Sequence, residues 1–116
     1  MKLLSLIALA VLPLAAQADI LIGQTAGFTG PVAASVTETT EGAKLYLDSI
    51  NAAGGVNGQP IQVNFVDTET KFDQYAPLAQ KVLDEGANVL IVTCDYDVSS
   101  PAALVAEAKN VLNMAP

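Results

Sequence analysis

The chain has no histidine. The side chain that most often acts as a general base or metal ligand near neutral pH is therefore out of consideration. A single cysteine, Cys94, excludes an internal disulfide. At the end of an apolar run it reads as a small apolar residue rather than a reactive thiol. Basic residues are scarce, five against twelve acidic ones, for a net charge of −7. That balance disfavours nucleic acid and anionic membrane surfaces as partners, while selecting no particular ligand. Nucleotide cradles are missing as well. Gly23, Gly27 and Gly30 do not reproduce G-x-G-x-x-G, and no G-K-[ST] occurs. A dinucleotide-dependent oxidoreductase is disfavoured, and no cofactor is expected. Asp67, Glu69 and Asp73 lack the spacing of a calcium loop, so no metal is expected. Serines and threonines occur without a histidine or apt lysine beside them, which leaves no catalytic residue to name.

Long apolar runs are confined to the N-terminus. Leu3 to Leu12 follows Lys2 and precedes the small-x-small triplet Ala16-Gln17-Ala18. The run is too short and too weakly flanked for a transmembrane anchor. It has the make-up of an export signal peptide over residues 1–18, cleaved near Ala18/Asp19. No cysteine follows the small residues, so a lipid anchor is not expected. Residues 19–116 remain for an exported soluble product, enough for one modest core.

What is present is an alternation of strand and helix signals. Ile50 to Ile61 is the most informative stretch. Upstream of it, Ala43, Tyr46, Leu47 and Ile50 form the i, i+3, i+4, i+7 stripe of a helix packed on one face. Gly54 and Gly55 supply left-handed backbone for the helix end, Asn57-Gly58 a tight turn, and Pro60 a bar to continuation. Ile61 to Val66 then alternates apolar and polar as a strand does.

Extended along the chain, this pattern predicts strands at Ile20–Thr25, Ile61–Val66 and Asn88–Val92, the last buried on both faces. The helices run from Val32 or Ser35 to Ala53, from between Asp73 and Pro77 to Glu85, and from Pro101 to about Asn110. Leu78, Ala79, Val82 and Leu83 are the buried stripe of the second. Ser100 and Pro101 look like N-cap and first residue of the third. Val111 to Pro116 resembles the opening of a fourth strand, as if the chain were the front of a longer protein. The fold class is α/β, helices crossing over one parallel sheet, with no repeat, low-complexity tract or interdomain linker.

In such sheets ligands sit at the carboxyl ends of the strands, so three loops matter. In Ala26–Pro31, Phe28 and Thr29 lie between Gly27 and Gly30. Phe28 either covers an apolar ligand group or packs on the core. Asp67–Phe72 is the second loop. The third, Thr93–Ser100, is densest in polar groups. Ser99, Ser100 and the free amides of the following helix would suit a carboxylate. Asp95 or Asp97 could pair with an ammonium, and Tyr96 could stack or donate a hydrogen bond. Plainer roles compete: Ser100 as a helix cap only, the aspartates as solvated loop charges.

The chain resembles a known family at I-L-I-G-Q-T-A-G-F-T-G-P (Ile20–Pro31), at E-G-A-K-L-Y-L-D-S-I-N-A-A-G-G-V-N-G-Q-P-I (Glu41–Ile61) and at V-D-T (Val66–Thr68). It is similar to the N-terminal part of type I periplasmic solute-binding proteins of ABC transporters, in the leucine/isoleucine/valine-binding family. The resemblance implies a partial, Rossmann-like N-terminal lobe over residues 19–116 of a two-lobed protein that closes on its ligand. It implies a monomer in the periplasm, binding an amino acid or related small polar solute and serving an inner-membrane permease. The lobe-one contacts map onto Phe28, Thr29, Asp95, Tyr96, Ser99 and Ser100. The loop C-D-Y-D-V-S-S is more acidic and aromatic than the Ser/Thr-rich form of the leucine binders. Two other readings stand beside this one: a ligand-binding sensory module of a receptor, and a truncated product without function.

Overall fold

The computed structural model describes residues 18–92 and 96–115, and the side chains of all these except 96–99. The leader reading of residues 1–18 falls almost wholly outside them. The elements follow one another as β1 (Ile20–Ala26), α1 (Ala33–Ala52), β2 (Ile61–Asp67), α2 (Phe72–Asp84), β3 (Val89–Val92), α3 (Tyr96–Ala108) and β4 (Leu112–Met114). The strands form one parallel sheet in the order β2-β1-β3-β4. Among the described residues no helix is long and apolar enough to cross a membrane.

All three helices stop in the same way. After α1 the amide of Gly55 bonds to the carbonyl of Ile50 at 2.9 Å and that of Gly54 to Asn51 at 3.0 Å. The amides of Ala87 and Gly86 repeat the pair on Val82 and Leu83 after α2, and those of Val111 and Asn110 on Ala106 and Glu107 after α3. This is the Schellman ending, which needs one left-handed residue. Gly54, Gly86 and Asn110 supply it, at φ of 103°, 99° and 53°. Beyond the first ending, Asn57 and Gly58 at φ 52° and 79° turn the chain between the bridged Val56 and Gln59. Asn51 then holds the start of β2: its amide nitrogen donates to the Ile61 carbonyl, and its oxygen accepts the Ile61 N–H, both at 2.8 Å. The predicted helix stop and tight turn at Ile50–Ile61 are both formed.

Helix starts differ from expectation. Both α2 and α3 begin five residues before their proline, so Pro77 and Pro101 lie inside the helices. Ser100 is accordingly a residue of α3 rather than its N-cap. The reason is physical: the first four helical amides lack intrahelical acceptors in any case. A proline one turn further in removes only one more bond, a cost that packing outweighs.

The core lies between the sheet and α2 with α3. Tyr75, Ala79, Val82 and Leu83 of α2 and Ala102 and Ala106 of α3 close over Leu90 and Val92 of β3. Gly23 on β1 admits α2 at this point, since a Cβ there would come within 2.8 Å of Val82. Of the stripe predicted for α2, Leu78 is only half-buried, and Tyr75 takes its place at the sheet.

The opposite face of the sheet carries α1. Gln24, on the β1 face away from Gly23, donates to the Thr40 hydroxyl at 3.0 Å. Val36 and Thr40 are buried here, while Leu47 and Ile50 are half-buried. Tyr46, placed in the buried stripe by its spacing, is 70% exposed, and Ala43 is exposed too. The helix is rotated so that Thr40 and Leu47 define its inner edge. Grooves of about 130 and 230 Å³ remain between α1 and the sheet. Strand β3 is therefore sealed only on the α2–α3 side, with Val89 and Ile91 half-buried on the other.

Candidate functional site

Parallel pairing brings the carboxyl ends of the strands to one edge. Ala26 stands opposite Asp67, and Thr25 opposite Val92, so the carboxyl ends of β1, β2 and β3 lie side by side. The first two loops are tied to each other. Asp67 Oδ1 accepts the amide of Thr29 at 3.2 Å and that of Glu69 at 2.8 Å. Asp67 Oδ2 accepts the Thr29 hydroxyl at 2.7 Å. Thr70 completes the tie by donating from its hydroxyl to the Thr29 carbonyl at 3.1 Å. Three polar groups of Thr29 are thus engaged by a loop about forty residues further along the chain.

Close approach explains the glycines that flank Phe28-Thr29. A Cβ on Gly27 would come within 2.4 Å of the Thr70 hydroxyl oxygen and 2.8 Å of Val32. Gly30, at φ 94°, faces the same hydroxyl and the Glu69 carbonyl. On the facing loop, Glu69 and Thr70 take φ of 52° and 57°. A left-handed β-branched residue is costly and persists only where its surroundings hold it. The bond from Thr70 to Thr29 is one such hold.

Burial acts to raise the Asp67 pKa. Hydrogen bonds from the Thr29 hydroxyl and from the amides of Glu69, Thr29 and Phe28 outweigh it, so the carboxylate titrates below its ordinary value. Beside it, Lys71 pairs with Glu69 and is raised by that hydrogen bond and charge. Of the three acidic residues weighed for a metal, Asp67 and Glu69 are occupied by these partners.

Phe28 is half-buried and meets Phe65 edge to face, with ring centroids 5.7 Å apart and planes at 85°. Phe65 is itself 43% exposed on the α1 side of β2. Phe28 therefore rests on a second surface aromatic at the loop edge. Of the residues singled out from sequence, Phe28 and Thr29 share this loop. Ser100 is half-buried in the first turns of α3, while Tyr96 and Ser99 belong to the same helix with side chains outside the described set. Asp95 lies outside the described residues. Sequence reasoning did not single out Thr70 or Phe65. The Thr-Glu-Thr run directly after β2 was the available signal, but its partner lies on another loop.

A family model described as periplasmic binding protein matches residues 7–116. The Leu/Ile/Val-binding protein homolog 3 of Brucella melitensis is 33% identical, over 100% of this chain and 32% of its own length. The Leu/Ile/Val-binding protein BraC3 of Rhizobium johnstonii is 34% identical, over 93% of this chain and 29% of its own. Among solved structures, the branched-chain amino acid transporter substrate-binding protein LivJ of Streptococcus pneumoniae, in complex with isoleucine, superposes with a TM-score of 0.75. Its identity is 27%, and the match covers 84% of this chain and 28% of that one. The chain thus spans about a third or less of the length of the proteins it matches. With the family model covering nearly every residue, and the fold superposing on a solved relative over 84% of the chain, the chain belongs to the periplasmic binding protein family.

Proposed function

We propose that the encoded protein is the substrate-binding component of an ABC importer, taking a branched-chain amino acid or related small polar solute in the periplasm and delivering it to a membrane permease. The observation that carries this is the match to Leu/Ile/Val-binding proteins along the whole chain. The leader at residues 1–18 would export it, leaving 19–116 as part of the N-terminal lobe of a monomer. No bond is made or broken in this role, so it calls for recognition groups and not for catalytic ones.

Recognition would be shared among the loops at the carboxyl edge. Phe28 offers an aromatic surface to an aliphatic side chain. Helix α3 starts at Tyr96, so the amides without intrahelical acceptors belong to the turn that holds Ser99, a setting suited to the solute's carboxylate. Asp95 and Tyr96 supply a countercharge and a hydrogen-bonding ring for the ammonium end, with Ser100 one residue further along α3. Isothermal titration of the encoded protein with isoleucine, leucine, valine, other amino acids, amides and small carboxylates tests the proposal. Saturable binding of a branched-chain amino acid is expected; heat from none of the panel would refute it.

A further inference from the structure

The tie between the first two loops does more than close a turn. Thr29 adjoins Phe28, and its amide, hydroxyl and carbonyl are all held from the β2–α2 side. The holding loop carries two successive left-handed residues, Glu69 and Thr70. Their geometry is sustained by the Asp67 carboxylate on the Glu69 amide and by the Thr70 bond to Thr29. Neither glycine of the first loop tolerates a side chain without displacing Thr70. The two loops are thus tied into one unit by Asp67 and Thr70. Backbone strain held in place by its surroundings is a recurrent mark of a pre-organised site.

We propose that Asp67 is a positioning residue for solute binding: acting through Thr29, with Thr70 as the second hold, it fixes the Gly27–Pro31 loop so that Phe28 is presented in its binding conformation. This rests on the reading above that Phe28 faces the solute. A loop ordered in advance spares the solute the entropic cost of ordering it, so the contribution appears in affinity.

The test uses the encoded protein, with isoleucine as probe and a temperature well below melting. Asp67→Ala and Thr29→Val each weaken binding by about tenfold, whereas Thr29→Ser, which keeps the hydroxyl, stays near wild type. Because Asp67 acts through Thr29, the double variant loses little more than either single one. Wild-type affinity in Asp67→Ala, or losses that multiply in the double variant, overturns the proposal. A second measurement needs no solute. Amide exchange at Thr29 accelerates in Asp67→Ala while Val82 and Leu83 in the α2 core keep their protection; unchanged exchange at Thr29 also overturns it. Should wild type bind none of the solute panel, the transport reading fails, and the exchange experiment still decides whether Asp67 holds the loop; should it bind another member of the panel, that solute replaces isoleucine as the probe.

Discussion

At the scale of single residues, the buried polar groups are the informative ones. The hydroxyls of Thr25, Thr68 and Tyr75 are enclosed and have no hydrogen-bond partner among the described residues. Tyr75 is 0% exposed and sits in the core beside Ala79 and Val82. An enclosed hydroxyl without a partner carries its desolvation penalty uncompensated. Tyr75→Phe is therefore expected to stabilise the protein by about 1 kcal/mol, read as a higher melting temperature. A clear loss of stability would show that the hydroxyl is bonded, through water for example. Asp67 carries a pH dependence of definite sign. Its folded pKa lies below the ordinary 3.8, so the ionised form favours the folded state. That contribution is complete above 3.8 and is lost as pH falls through the lower folded value. The stability gap between wild type and Asp67→Asn should shrink as pH is lowered from about 5 to about 2.5, with denaturant melts as the measure. A gap independent of pH would assign the stability difference to something other than the charge.

At the scale of elements, local chemistry was legible and orientation was not. Gly54, Gly86 and Asn110 stand where each helix must end, and the Asn57-Gly58 turn is encoded within two residues. Such signals need no knowledge of the rest of the chain. The prolines misled because their rule concerns the first helical residue, and a proline one turn deeper leaves the same signal in sequence. The α1 stripe misled for a related reason. Tyr46 and Leu47 are adjacent in sequence, and only contact with the sheet shows that Leu47 is the inner one. Asn51 was not singled out either, although it joins the end of α1 to the start of β2 by two bonds of 2.8 Å. Asn51→Ala strips both bonds and should cost about 1–3 kcal/mol in chemical denaturation. Asn51→Asp retains the acceptor alone and should fall between the two. A neutral Asn51→Ala would mean that the Schellman ending and the turn position β2 unaided.

At the scale of the whole molecule, the sheet separates its tasks. The α2–α3 face is closed by a continuous core, and the α1 face is held at Val36, Thr40 and the Asn51 junction, with grooves along the helix. The amino edge carries the Gly54–Pro60 turn, and the carboxyl edge carries the loops that hold Phe28 and Thr29. Sequence alone indicated the parallel sheet and the order of strands and helices along the chain. It could not reveal that Asp67 takes hold of Thr29, because the two are 38 positions apart and meet only through strand register. The account's central claim is that solute is received at the carboxyl edge, on the loop after β1. Hydrogen-exchange mapping of the encoded protein with and without isoleucine tests it most directly. Isoleucine should slow exchange across residues 26–32 and leave the 50–61 turn unchanged. Protection confined to 50–61, or none at 26–32 when isoleucine is bound, would contradict it.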